Sequence, residues 1–155
     1  MKELFDDLGT CKIGGHSVFS FLCDENMSEL SAYFSSRTIR AGETLWKEGD
    51  PCDYVGIISS GQIDVKKETE FEGKHVVVGI YKKGAVIGSL CILDNSMRVV
   101  TAVAREDSTL VVISRENFER LIADNPVLGC KLLKGMLLSV SVRLRKAYER
   151  MTTFF

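Results

Sequence analysis

The chain has 155 residues, 45% hydrophobic and 26% charged, with a formal net charge of −1. That is the balance of an ordinary globular domain with one core, and it supplies no overall field to draw nucleic acid or an anionic membrane. No apolar run approaches the roughly eighteen residues of a membrane span, and the acidic start MKELFDDLGT lacks the apolar core of a signal peptide. A cytoplasmic protein is expected. The five cysteines (Cys11, Cys23, Cys52, Cys91, Cys130) are odd in number and scattered, which predicts reduced thiols rather than a disulfide framework.

Periodicity separates three regions, 1–36, 37–114 and 115–155, within one domain. In the first, Leu22, Met27, Leu30 and Phe34 recur at helical spacing behind Asp24, which predicts one short amphipathic helix with Asp24 as N-cap. The second reads as strands. TIRAGETLW is two short strands about an Ala-Gly turn, and YVGIISSGQIDVKKE is two strands broken at Ser60-Gly61. HVVVGIY, the apolar piece after Gly84, RVVTAVA and TLVVIS follow. About eight short strands between Gly/Asp/Ser turns point to an antiparallel roll or sandwich rather than βαβ units.

The third region starts at Ser114, a predicted N-cap for RENFERLIA. Asn125-Pro126 then restarts the chain as a cap with proline in the first turn. Cys130, Leu133, Leu137, Val140, Leu144, Ala147 and Met151 repeat at 3-4 spacing, a coiled-coil seam of about three heptads. A second apolar set, Leu128, Leu132 and Met136, is placed to cover the roll. The seam predicts a partner helix, most simply from a second copy; the alternative is a helix that covers only its own domain.

An N-terminal helix, an eight-stranded roll, a capped short helix and a long helix resemble the cyclic nucleotide-binding domain family. That family includes the effector domain of catabolite activator protein-like regulators and of the cAMP-dependent protein kinase regulatory subunit. The resemblance is carried by AGETLWKEGDPCDYVGIISSGQIDV and ENFERLIADNPVLGCKLLKGMLLSVSVRLR. It implies a mainly β fold with flanking helices: an eight-stranded antiparallel jelly-roll-like β-roll, with a long C-terminal dimerisation helix.

The resemblance also implies a phosphate-binding cassette, usually Gly-Glu-Leu-Ala-Leu, a few residues, then Arg-Ala-Ala-Thr. Here that register reads Gly88-Ser89-Leu90-Cys91-Ile92, LDNSM, then Arg98-Val99-Val100-Thr101. SLCILD would form a single helical turn whose N–H groups cradle phosphate. Arg98 would face the cyclic phosphate with a charge-assisted pair, beside the Val99 amide; the alternative is a surface arginine with no ligand. Gly88 and Ser89 would lie on the ribose side, with Leu90 a further ligand-binding candidate. Ser89 stands where the family has the glutamate that accepts the ribose 2′-hydroxyl, and its shorter neutral side chain weakens that contact by about one to two orders of magnitude in affinity. Val100 offers no hydroxyl to a guanine, so cAMP is favoured over cGMP. Tyr148 is placed to stack on the base, or is simply exposed beside the seam.

The expectation is a non-enzymatic sensor domain, homodimeric through its last helix, signalling to a protein partner not identified by sequence. The alternative is a degenerate roll that binds no nucleotide and serves as an interaction or oligomerisation module. His16 and His75 are the only histidines, too few and too far apart for a cupin-type metal set. No metal, DNA or membrane partner is expected, since no helix-turn-helix follows MTTFF.

Overall fold

The computed structural model describes residues 1–10 and 16–153, so Cys11 lies outside the described residues. The elements run α1 (Lys2–Thr10), α2 (Asp24–Ser31), β1 (Ser35–Ile39), β2 (Thr44–Trp46), β3 (Tyr54–Ser60), β4 (Gln62–Glu68), β5 (His75–Lys82), β6 (Val86–Ile87), β7 (Thr101–Ala104), β8 (Ser108–Ser114), α3 (Arg115–Asp124) and α4 (Pro126–Thr152). The strands form two four-stranded sheets, β1-β8-β3-β6 and β2-β7-β4-β5, and every named strand pair is antiparallel. The expected eight-stranded roll with flanking helices is therefore the fold.

Side chains sort into two cores. Ile39, Leu45, Trp46, Ile58, Ile63, Val65, Ala102 and Leu110 fill the space between the sheets. The other face of β3 and β8, carrying Val55, Ile57, Val111 and Ile113, packs under the helices against Phe5, Leu30, Phe118, Leu128 and Leu132. Strand alternation thus serves two layers at once, because one sheet is covered on both sides.

The N-terminal region holds two helices instead of the one expected. α1 carries Phe5 and Leu8 into the helix-side core, and Leu4, Phe5 and Leu8 already show the 3-4 spacing that marks it. α2 starts one residue earlier than expected: the extended Cys23 is its N-cap, and the Asn26 carboxamide oxygen accepts from the Cys23 N–H at 3.4 Å. The two C-terminal caps fall as expected. Ser114 Oγ accepts from the Asn117 N–H at 3.1 Å, and Asn125 Oδ1 accepts from the Leu128 N–H at 3.0 Å with proline behind it.

α4 has 27 residues, about 40 Å at 1.5 Å per residue. Leu128, Leu132 and Met136 are buried, as expected for the roll-facing set, while Leu137, Leu144 and Met151 stand exposed along the seam. Gly135 is where the helix crosses the chain: a Cβ there would lie 1.6 Å from the Val18 carbonyl oxygen. No helix of the described residues is long and apolar enough to cross a membrane.

Candidate functional site

Between β6 and β7 the chain leaves the roll and returns over residues 88–100. Gly88 opens this segment at φ +78°, a left-handed conformation favouring glycine, and a Cβ there would meet Arg98 Nη1 at 2.5 Å. Residues 89–94 then run as successive turns and not as the expected helical turn. The carbonyls that a helix would use are taken. Arg115, the first residue of α3, donates Nη1 to Ile92 O at 2.8 Å and Nη2 to Cys91 O at 3.0 Å. Its Nε and Nη2 also reach Cys52 O, at 3.2 and 2.7 Å.

Cys52 and Cys91 are joined by a disulfide across 39 residues. This corrects the expectation of five reduced thiols: the antiparallel pairing of β3 with β6 brings the two ends together, with Cα atoms 5.9 Å apart, inside the range a disulfide needs. Cys23 and Cys130 are free and exposed.

The segment closes on Arg98, whose backbone is fixed to the β2–β3 loop. Its N–H donates to Asp50 O at 2.8 Å and its carbonyl accepts from the Gly49 N–H at 2.8 Å. The residue is buried, its side chain 1% exposed. It stacks 3.9 Å over the Trp46 ring, and Trp46 is itself held by an Nε1 bond to Val100 O at 2.9 Å. Nη2 donates to Tyr54 O at 2.8 Å and lies 3.4 Å from Asp53 Oδ1, while Nη1 donates to Gly88 O at 3.4 Å. Nε is buried without a hydrogen-bond partner among the described residues. Burial pushes the Arg98 pKa down from its ordinary value, against the pull of Tyr54 and Asp53. Among the described residues the one carboxylate within ion-pair distance, Asp53, is 76% exposed and so a weak counter-ion, with Asp50 acting only at longer range.

On the open side, Ser89 Oγ accepts from Nη2 of Arg143 at 3.4 Å. Arg143 comes from α4 and lies 5.2 Å over the Tyr81 ring. Arg143 and Tyr81, with other β5 residues and Leu90, border a groove of about 890 Å³ between β5 and α4, and Ser89 joins it only through its bond to Arg143. Of the expected site residues, Gly88, Ser89, Leu90 and Arg98 thus gather about one turn. Val99 is exposed and its carbonyl accepts from Lys67 Nζ at 3.0 Å; Val100 packs on the inter-sheet core. Tyr148 is 57% exposed and outside the groove, whereas its neighbours Ala147 and Glu149 line it. Among the described residues no three His, Cys, Asp or Glu are grouped to hold a metal ion.

Three contributors were not singled out from sequence. Trp46 is the single tryptophan. Arg115 puts a cation in the first turn of a helix, against the dipole, an oddity that flags a tertiary partner. Arg143 lies within the basic stretch of α4, and nothing local distinguishes it from a solvated flank.

Comparison with known proteins places this architecture. A model described as the cyclic nucleotide-binding domain matches residues 36–125. The cAMP-dependent protein kinase regulatory subunit of Blastocladiella emersonii is 27% identical over 113 residues, covering 73% of this chain and 28% of that protein. The cyclic AMP receptor protein of Thermus thermophilus is 26% identical over 118 residues, 76% of this chain and 54% of the relative. The chain therefore spans only about a quarter to a half of these relatives. A solved cyclic nucleotide-binding domain from Methylobacillus flagellatus superimposes with a TM-score of 0.83 at 26% identity, covering 99% of this chain and 83% of that one. The matched region contains the whole β2–α3 segment that carries residues 88–100 and Arg115, and the chain belongs to the cyclic nucleotide-binding domain family.

Proposed function

We propose that this chain is a regulatory domain that binds a cyclic nucleotide, cAMP in preference to cGMP, beside residues 88–101 of the roll. The observation that carries this reading is Arg98. A buried cation is costly unless paired, yet among the described residues its one ion-paired carboxylate is exposed and its Nε has no partner. A ligand phosphate held at the cassette supplies the missing charge and acceptor. Gly88 and Ser89 lie on the ribose side, with the Val99 amide beside the phosphate.

Signal leaves by two routes. Ser89 is bonded to Arg143 of α4, and the cassette carbonyls are bonded to Arg115 of α3. Movement of residues 88–98 therefore pulls on both helices. The exposed Leu137, Leu144 and Met151 seam pairs with a second copy, and the altered dimer surface is read by a protein partner. The response is bounded by the ligand's preference between the two states.

Calorimetric titration with cAMP and cGMP tests the ligand. Saturable cAMP binding that Arg98→Ala abolishes is the expected result. Sedimentation tests the seam: Leu144→Asp should convert a dimer to a monomer without loss of helix.

A second reading has its own observation. Nη1 and Nη2 of Arg98 already donate to Gly88 and Tyr54 carbonyls, so the arginine also works as an internal staple, and Ser89 supplies no carboxylate. On that reading the roll is an interaction module without a nucleotide. Absence of binding up to millimolar cAMP and cGMP, with an intact dimer, would select it.

A further inference from the structure

The groove between β5 and α4 is apolar on its walls, through Val78, Ile80, Leu90 and Val140, but its charge is one-sided. Lys82, Arg143, Lys146 and Arg150 border it against the single carboxylate of Glu149. None of the four cations forms an ion pair among the described residues.

Arg143 is the one with a defined pose. Tyr81 lies back over Gly79, where a Cβ would sit 3.0 Å from the phenol oxygen, and the Arg143 guanidinium stacks on that ring while Nη2 reaches Ser89 Oγ. Two guanidiniums therefore meet adjacent residues of one turn: the buried Arg98 reaches Gly88 O at 3.4 Å, and Arg143, which lines the groove, reaches Ser89 Oγ at 3.4 Å. A glutamate at position 89 would pair with Arg143 and cancel its charge. Serine accepts a hydrogen bond and leaves the cation uncompensated. The unpaired cations of the groove attract an anion, and one bonded to Arg143 would neutralise its charge. The groove volume lies near the upper end of the usual range for small-molecule sites, which leaves room beyond one phosphate.

We propose that Arg143 and Ser89 form a second phosphate site on the groove side of the cassette, so that a nucleotide carrying two phosphate groups binds more tightly than cAMP. The inference rests on the cassette being a nucleotide site and names the ligand class for it. The second phosphate could belong to a linear diphosphate or to a second phosphodiester, and these are separated by their probes.

The test is calorimetry on the full chain with cAMP, ADP and cyclic di-AMP, for wild type, Arg143→Ala and Ser89→Glu, each checked for folding by thermal melting. ADP or cyclic di-AMP should bind at least about tenfold tighter than cAMP, the scale of one charge-assisted pair. Which of the two does so identifies the source of the second phosphate. Arg143→Ala should bring the ratio to about one. Ser89→Glu should reverse the order, because its carboxylate occupies Arg143 and restores a ribose acceptor. The advantage should shrink as salt is raised.

If cAMP binds and neither two-phosphate ligand exceeds it, this inference fails and the cassette reading survives. A two-phosphate ligand that binds where cAMP does not supports the inference and removes the cAMP preference. If none of the three binds, the cassette reading fails and takes the inference with it. An Arg143→Ala change that leaves the ratio intact also overturns it.

Discussion

The two sheets of the roll are built from similar strands but live in different surroundings. In β1-β8-β3-β6, side chains of β3 and β8 are buried on both faces, Ile58 and Leu110 toward the other sheet and Val55, Ile57, Val111 and Ile113 toward the helices. In β2-β7-β4-β5, only the inner face is closed, and β5 leaves Val76, Val77, Val78 and Ile80 about half exposed. The first sheet is covered on both faces at β3 and β8; β3 follows Cys52 and β8 leads into Arg115, and these two residues hold the cassette. The second carries the wall of the groove toward α4. Stability and adaptability are thus divided between two sheets of one roll, as expected when sites that move are drawn from the less buried part of a fold.

Substitutions should reveal the division. The largest effect belongs to Cys91→Ser, which opens the 39-residue bridge on the side of the first sheet. The chain-entropy account puts that bridge at about 4 kcal/mol. Urea denaturation should show the loss, and hydrogen exchange should rise over residues 88–98. A dithiol reductant should reproduce both effects in the wild type and neither in the variant.

Gly135→Ala comes next, because its new methyl would have to displace the Val18 backbone carbonyl. Overpacking against backbone should cost about 3 kcal/mol, read from the denaturation midpoint. An unchanged midpoint would mean that α4 does not press on residues 17–19. The smallest effect is expected from Ile80→Ser on β5, 50% exposed in the roll, which should stay within about 0.5 kcal/mol of wild type. A cost of several kcal/mol there would show that β5 is covered in solution and that the two sheets are not so different.

What could be read along the chain follows the range of the forces involved. Strand alternation, the Ser60-Gly61 break, the Ser114 and Asn125 caps and the heptad seam all depend on residues within a few positions of one another. The strands, the break and the caps appear where periodicity and turn chemistry put them, and the heptad positions lie on one continuous helix. The cassette register was also legible, since Gly88 and Arg98 stand at a fixed spacing. The direction of the Arg98 guanidinium was not. It depends on Trp46, Asp53 and Tyr54, which lie some fifty residues earlier and become neighbours only through sheet registry. α1 is a different case: its 3-4 spacing was present in Leu4, Phe5 and Leu8, and a nine-residue helix needs its core contacts to persist.

The sequence alone therefore determined the eight strands, the capped pair of C-terminal helices, the heptad spacing along the last helix and the identity of the residues in the cassette, because hydrophobic period and capping are local properties of the chain. Only the tertiary structure decided that Cys52 meets Cys91, that Arg115 holds the cassette carbonyls in place of a helical turn, and that Arg98 and Arg143 reach the adjacent residues Gly88 and Ser89. Each of those contacts joins segments distant in sequence. Their energies arise from burial and charge at positions created when the two sheets and α4 close on one another.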